Sequence, residues 1–410
     1  MSERQRANQR VWPDFRRLWA AHSVSIFGDQ LTLVALPIAT YAETKSALAV
    51  GVVASAEAAT AVLFGLPAGA LADRLPYRRV LVLTDAGRLG VLLALLVSIR
   101  ISGVGVIALL AAAIGMGIVR VVHDAAANAS VPLVVADDHL VAANGRLQAS
   151  EAASTAIGPV LAGGLIALGG TSLAFGVDAA TFALSGATLA SIRRLDDAPP
   201  PEVTDETVGR LVGFWREIAD GLRQLRTDDV MRRIVLLVAA MNVLAVAVEA
   251  QFIPYAREVL HIGPFGIGAY FALGGTVAVI TSLLAGRSTA ALGSAVTIGL
   301  AVFATGVGLA GVFPSFATVA LAYIGAGFGS ALVVTHANTF RQRRFPVRLQ
   351  GRVSMAVRAL ILAPMPVGFI AGGWLAVHYG PEVLFTSAGG IGLAAALWGV
   401  LSGTFRLREG

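Results

Sequence analysis

Apolar residues run through this chain in twelve long stretches, each closed by a short polar or basic break. They fall at approximately 17–42, 47–72, 78–100, 103–131, 141–168, 172–193, 232–257, 264–286, 290–312, 316–340, 350–377 and 382–404. The runs are continuous rather than alternating, and each is close to the roughly 20 residues that carry an α-helix across a bilayer core. Lipid offers no partner for an unpaired backbone group, so runs of this length predict helices, whereas barrel strands would be shorter and would alternate. The pattern predicts an all-α membrane protein of twelve transmembrane helices.

The charged breaks test that count. Twelve crossings return the chain to its starting side. Of the 31 Lys+Arg, three (Lys45, Arg100, Arg257) then fall on the far side and three (Arg88, Arg120, Arg358) within spans, leaving 25 on the N-terminal side. One helix more or fewer would scramble this bias, and the positive-inside rule places both termini in the cytoplasm. The net charge of +6 therefore reads as orientation and attraction to anionic lipid headgroups. It does not read as nucleic-acid binding, which would need a basic face on a soluble module. With no cysteine in the chain, disulfides and thiolate chemistry are excluded.

The largest polar interval, 194–231, begins with Asp196-Asp197-Ala198-Pro199-Pro200-Pro201, a linker composition. It continues with Leu211, Trp215, Ile218, Leu222 and Leu225 on one helical face and Arg210, Arg216, Arg223 and Arg226 elsewhere. That pattern predicts a helix lying on the cytoplasmic membrane surface. On either side the sequence repeats itself. A shift of 217 sets Ala35-Leu36-Pro37 over Phe252-Ile253-Pro254, Gly51 over Gly268 and Gly69 over Gly286. Shifts of 206 to 210 set Ala127-Asn128 over Ala337-Asn338, Gly145-Arg146 over Gly351-Arg352, and Gly163-Gly164 over Gly372-Gly373. Two pseudo-symmetric six-helix halves, 1–193 and 232–410, joined by a cytoplasmic linker, form a transporter architecture.

Motifs then point to a family. The loop after the second span reads Gly69-Ala-Leu-Ala-Asp73-Arg74-Leu-Pro76-Tyr77-Arg78-Arg79-Val-Leu81. It resembles the signature G-x-L-A-D-R-x-G-R-R-x-x-L of the major facilitator superfamily, with Pro76-Tyr77 in place of the usual Gly-Arg. The resemblance implies a gating role for Gly69, Asp73, Arg74, Arg78 and Arg79, joined by Asp85 and Arg88 of span three. Span five carries Gly158-Pro159-Val160-Leu161-Ala162-Gly163-Gly164, similar to the G-P-x-x-G-G element of drug:proton antiporters. Proline removes a backbone hydrogen bond and glycine lets a neighbouring helix approach closely, which suits a hinge between rocking halves. Phe15-Arg-Arg-Leu-Trp19, Ser25-Ile-Phe-Gly28-Asp29-Gln30 and Ala35-Leu-Pro37 resemble the branch of macrolide-efflux and siderophore-export permeases. The resemblance implies a multi-pass protein of the bacterial cytoplasmic (inner) membrane that works as a monomer.

Charges inside spans are functional candidates, because each costs about 2.5–3.5 kcal/mol at the helix centre on insertion scales. Asp29, mid-span beside Gln30, is the first candidate for a proton-carrying carboxylate, with a structural pair to an arginine such as Arg358 as the alternative. Arg120 and Asp124 share one helix face at i, i+4. The run Arg120-Val-Val-His123-Asp124 partly resembles the family's span-four motif R-x-x-Q-G, which implies a part in proton transfer. Glu57, Glu151 and Glu249 are further proton or ligand candidates, and Asp178 reads as a helix–helix hydrogen bond. Carboxylates outnumber arginines within the spans, which favours a cationic or neutral lipophile as cargo.

Other classes fail on chemistry. The single lysine, Lys45, follows no Gly-rich loop, so there is no phosphate cradle for ATP. Neither G-x-S-x-G nor H-E-x-x-H occurs, which argues against a hydrolase or a metal centre. The expectation is a secondary transporter, not an enzyme, that exports small lipophilic or amphipathic compounds in exchange for protons. The proton gradient supplies the energy, and no cofactor or metal is required. The alternatives are a siderophore or endogenous-metabolite exporter, or a non-transporting receptor or assembly factor on the same scaffold.

Overall fold

The computed structural model describes residues 3–72, 75–101, 105–136, 139–196, 223, 228–285, 292–344, 353, 357 and 359–402. Among these the protein is all helix. In chain order the long helices are α1 (Glu3–Thr44), α2 (Ala47–Ala72), α3 (Tyr77–Ile101), α4 (Val106–Ser130) and α5 (Leu140–Ala190). They continue as α6 (Asp229–Glu258), α7 (Pro264–Ala285), α8 (Leu292–Val312), α9 (Phe316–Arg344), α10 (Met365–Tyr379) and α11 (Pro381–Leu401). Eleven helices among the described residues are long and apolar enough to cross a membrane. One of them, α5, has 51 residues, roughly 77 Å at 1.5 Å per residue, more than twice the bilayer core. It breaks where Gly169 and Gly170 leave helical geometry, Gly170 at φ 71°, so it supplies two spans and the count is consistent with twelve. The amphipathic helix expected within 194–231 lies outside the described residues, apart from a short 3-10 turn at Arg193–Asp196.

The sequence repeat reappears in the backbone. Lys45 (φ 50°) and His261 (φ 53°) are left-handed residues just after α1 and α6, 216 positions apart (261 − 45). Gly170 and Gly380, both with positive φ, are 210 apart (380 − 170) and each divides two consecutive spans. Such backbone angles are uncommon outside glycine. Their recurrence at the sequence-repeat shift marks equivalent turns in two copies of one helical unit.

Packing divides the chain into two compact units, Met1–Ala39 with Thr60–Leu211, and Thr40–Ala59 with Val212–Gly410. Chain order assigns residues 40–59 to the first half, whereas packing groups them with the second. The Tyr41 phenol donates to Glu258 Oε1 and Gln251 Nε2 donates to the Ala47 carbonyl at 3.1 Å. Gly373 presses on the same segment, since a Cβ there would stand 2.9 Å from both Ala47 O and Leu48 Cα.

In the first unit α3 packs against α4 and α5. A buried cluster of Phe15, Leu18, Val80, Leu81, Leu189, Ile192 and Leu195 ties the basic ends of α1, α3 and α5 together. In the second unit helices meet through glycine. A Cβ at Gly306 of α8 would stand 2.7 Å from Ala322 Cα and 2.8 Å from Leu321 O of α9, and one at Gly325 would stand 2.8 Å from Val302 O. Lipid tails are as apolar as leucine, so helices associate in a bilayer through close packing rather than hydrophobic expulsion, and small residues permit it. Overpacking a tight contact costs about 1–3 kcal/mol. Gly306→Leu is therefore expected to lower the apparent melting temperature of the detergent-solubilised protein by at least several degrees, read as loss of the monodisperse gel-filtration peak on heating. Gly164→Ala, where a Cβ meets nothing within 4 Å, should leave that temperature unchanged.

Candidate functional site

Small residues on α1 set the geometry of the site. Gly28 leaves the space into which Thr181 and Asp178, in the second part of α5, project. Gly158 does the same in reverse, because a Cβ there would meet Gln30 Cγ at 2.7 Å. Two elements of the expected motifs thus fit together: Gly28-Asp29-Gln30 of α1 and the Gly158-Pro159 step of α5, where both residues are buried. Trp19 Nε1 donates to Ser150 Oγ at 2.9 Å, and Ser150 Oγ lies 2.8 Å from Ser23 Oγ, fixing the register of α1 on α5.

At this junction lies a buried ionic cluster centred on Arg88 of α3. Its Nη1 stands 3.4 Å from each carboxylate oxygen of Asp29, and its Nη2 donates to Asp85 Oδ1 at 3.0 Å. The guanidinium lies over the Phe182 ring, 4.5 Å from its centroid. The Arg88 and Asp85 side chains are 1% and 0% exposed, while Asp29 is 12% exposed, so Asp29 is the member with an opening to its surroundings. Among the described residues Arg88 Nε and Asp85 Oδ2 make no hydrogen bond within ordinary distance, although the Ser185 hydroxyl lies close enough to interact with Asp85.

Two further groups extend it. His123 of α4 places Nδ1 3.5 Å from Asp85 Oδ1 and 2.9 Å from Thr84 Oγ1. The Thr84 hydroxyl also reaches the carbonyls of Val80 (2.8 Å) and Leu81 (2.9 Å). A hydroxyl has one proton to give. If Thr84 spends it on its own helix, as i−4 geometry favours, the His123 proton sits on Nδ1. Asp178 is fully buried and accepts from Thr32 Oγ1 at 2.5 Å and Thr181 Oγ1 at 3.1 Å. It forms the α1–α5 hydrogen bond expected from the sequence. His22, about two helical turns before Asp29 on α1, is within electrostatic reach of Glu151, Asp29 and Arg88.

The other sequence candidates are dispersed. Of Asp85 and Arg88, grouped with the gating loop from the sequence, Arg88 reaches Asp29 and Asp85 lies against Arg88 and His123. Arg78 of that loop pairs with Asp196 at 2.6 Å, and Arg79 is exposed. Gly69 lies in α2, whereas Asp73 and Arg74 fall outside the described residues. Arg120 and Asp124 lie 3.9 Å apart on an exposed face of α4, opposite in aim to His123 between them. Glu57 is half-buried on α2, Glu151 and Glu249 are exposed on α5 and α6, and Gly163 is buried and Gly164 half-buried on α5. Arg358, the partner considered for Asp29, lies outside the described residues; the cation beside Asp29 is Arg88. His123 and Thr84 carry no periodic or motif signal of their own. Only the i, i+3 spacing of Asp85 and Arg88 hinted at a pair.

A sequence profile of the Major Facilitator Superfamily matches residues 18–365. No curated protein matches the sequence. Among solved structures, a bacterial homologue of the iron transporter ferroportin in an inward-facing state is similar at 19% identity and a TM-score of 0.74, covering 96% of this chain and 98% of that one. A POT family transporter in complex with 5-aminolevulinic acid is similar at 12% identity and a TM-score of 0.74, covering 96% of each chain. The nucleoside transporter NupG is similar at 12% identity and 0.74, covering 95% of this chain and 99% of that one.

Removing one partner of a buried pair costs about 3–5 kcal/mol because the other charge is left uncompensated. Arg88→Gln should therefore destabilise the purified protein strongly, and Arg88→Gln with Asp85→Asn should destabilise it less than the sum of the single changes. A double-mutant cycle on thermal unfolding checks this; strict additivity would show that the two side chains do not interact.

Proposed function

The chain belongs to the Major Facilitator Superfamily, and from that premise we propose that it exports small lipophilic or amphipathic compounds in exchange for protons by alternating access. As a multi-pass membrane protein of transporter fold it needs an energy source, and ATP hydrolysis has no phosphate cradle here. The observation that carries the reading is the Asp29–Arg88–Asp85 cluster with Asp178 beside it. Two carboxylates, Asp29 and Asp85, contact one guanidinium, with a third, Asp178, within electrostatic reach, away from bulk water where uncompensated charge is expensive. A site with that imbalance is suited to holding a proton.

In the proposed cycle Asp29 is the exchangeable group, because it alone of the three acids is partly open. With Asp29 ionised, Arg88 is shared between α1 and α3. When Asp29 takes up a proton, the guanidinium is left to Asp85 on its own helix, and the tie between α1 and α3 weakens. Protonation thereby shifts the balance between two conformations, which is what coupling requires. The Arg78–Asp196 pair and the Gly158-Pro159 step contribute the gate and the hinge. The protein resides in the bacterial inner membrane with both termini in the cytoplasm. Its cargo is lipophilic because the spans offer mostly Ala, Val, Leu and Gly and few polar groups. The similar structures are named for cargo as different as iron and nucleosides, so the scaffold itself leaves the choice of cargo to side chains.

Inverted vesicles containing the protein are expected to accumulate lipophilic compounds when an inward-acid pH gradient is imposed, and to lose that uptake with a protonophore. Asp29→Asn should reduce gradient-driven uptake at least tenfold while retaining exchange of labelled for unlabelled cargo, which needs no net proton movement. Gradient-driven uptake at the wild-type rate in Asp29→Asn would overturn the assignment.

A further inference from the structure

The second unit contains a carboxylate that its own fold leaves unused. Glu249 stands about two-thirds of the way along α6, within the stretch from Ile234 to Ala256 that has no other charged side chain. Helices α7 and α8 carry no charge at all. Glu249 is exposed and makes no hydrogen bond or ion pair with any other described residue.

Its direction follows from how α6 packs. Val243, Val246 and Ala247 are taken up by Gly368 and Gly372 of α10. Leu237 and Leu244 lie against Gly399 and Gly392 of α11, and the Tyr255 hydroxyl donates to Ala310 O of α8 at 2.6 Å. Glu249 lies on the remaining face, in line with Asn242 and Ala245, which are half-buried. A carboxylate aimed at lipid from inside an apolar span would be costly, which favours a face open to water or ligand.

One turn further along α6 an aromatic cluster begins. Phe252 meets Tyr323 of α9 at 4.8 Å between ring centroids, Phe271 of α7 at 5.6 Å and Tyr270 of α7 at 5.7 Å. Phe271 and Tyr323 are 5.5 Å apart. The contacts involving Phe252 and the Phe271–Tyr323 pair are edge-to-face; Phe252 is buried among them, whereas Tyr270, Phe271 and Tyr323 are only half-buried. Gly274 permits it, since a Cβ there would stand 3.2 Å from Tyr323 Cδ1. The Tyr270 hydroxyl is engaged with Phe316 O at 3.0 Å. The Tyr323 hydroxyl has no hydrogen-bond partner among the described residues, and Glu249 lies within its electrostatic reach.

We propose that Glu249 and the half-buried rings of Tyr270, Phe271 and Tyr323, held in place by the buried Phe252, form a binding subsite for lipophilic organic cations. The carboxylate is the counter-ion, and the ring faces hold the apolar body and the diffuse positive charge of the ligand. An unpaired acid beside electron-rich faces discriminates against anions by repulsion and against neutral molecules by the loss of its one ionic partner. The subsite rests on the exporter reading for its purpose, but its binding chemistry lies wholly within the second unit, on α6, α7 and α9.

The test is equilibrium binding of radiolabelled tetraphenylphosphonium to the full-length protein purified in detergent, with no gradient. Saturable binding to wild type is expected, weakened at least tenfold by Glu249→Gln and by Tyr323→Leu, and retained within about threefold by Tyr323→Phe. Excess tetraphenylborate, similar in shape and opposite in charge, should not compete. Gel-filtration profiles identify any variant that fails to fold, and Glu249→Asp, expected to bind at an intermediate level, serves as the second variant. Absence of saturable binding, unchanged affinity in Glu249→Gln, or equal competition by tetraphenylborate would overturn the subsite. Glu249-dependent binding without proton-driven uptake in vesicles would sink the exporter reading and leave the subsite standing. Proton-driven uptake of other compounds without tetraphenylphosphonium binding would do the reverse.

Discussion

Inside a bilayer core there is neither water to solvate a polar group nor a hydrophobic gradient to press helices together. Backbone groups must then be satisfied within each helix, which accounts for an all-helical chain. Helices must also find contact area by close approach. The second unit does this with glycine: Gly306 against Ala322, Gly325 against Val302, and Gly274 against Tyr323. The same scarcity of water explains why a charge in such a place needs either a partner or a task.

The two units treat their charges differently. In the first, acids and a base are drawn together: Arg88 reaches Asp29 and Asp85, Asp85 reaches His123, and two threonines hold Asp178. Glycine serves this too, since Gly28 and Gly158 bring α1 and α5 close enough for their polar side chains to meet. In the second unit the acid within the apolar span stands apart. Glu249 faces open space beside aromatic rings, and the tight contacts there are made by apolar surface. An ionic cluster in one unit and a lone acid in the other give the two units different charge chemistry to work with.

Much of the fold was legible before any coordinates. Twelve runs of membrane-spanning length, a basic bias of 25 to 3 between the two sides and a repeat at shifts of 206 to 217 each reflect a constraint that acts residue by residue along the chain. The left-handed residues at Lys45 and His261, and at Gly170 and Gly380, fall at the same shifts. Asp29 was legible for a similar reason, because a lone acid in the middle of an apolar run has no cheap explanation.

Partnership was not legible. Arg88 is 59 residues from Asp29 in sequence, and nothing in the local pattern of α3 chooses it over another intramembrane arginine. His123 entered from the sequence only as part of the Arg120-Val-Val-His123-Asp124 run, yet it turns inward to Asp85 while Arg120 and Asp124 stay exposed. Residues 40–59 belong to the first half by order and to the second unit by packing. Hydropathy is a property of single segments in a slab of lipid and motifs are read along the chain, so the sequence alone determined the helices and pointed to the family. Which side chains meet depends on how helices distant in sequence rotate and approach one another, and that was decided only by glycine-scale packing in the tertiary structure.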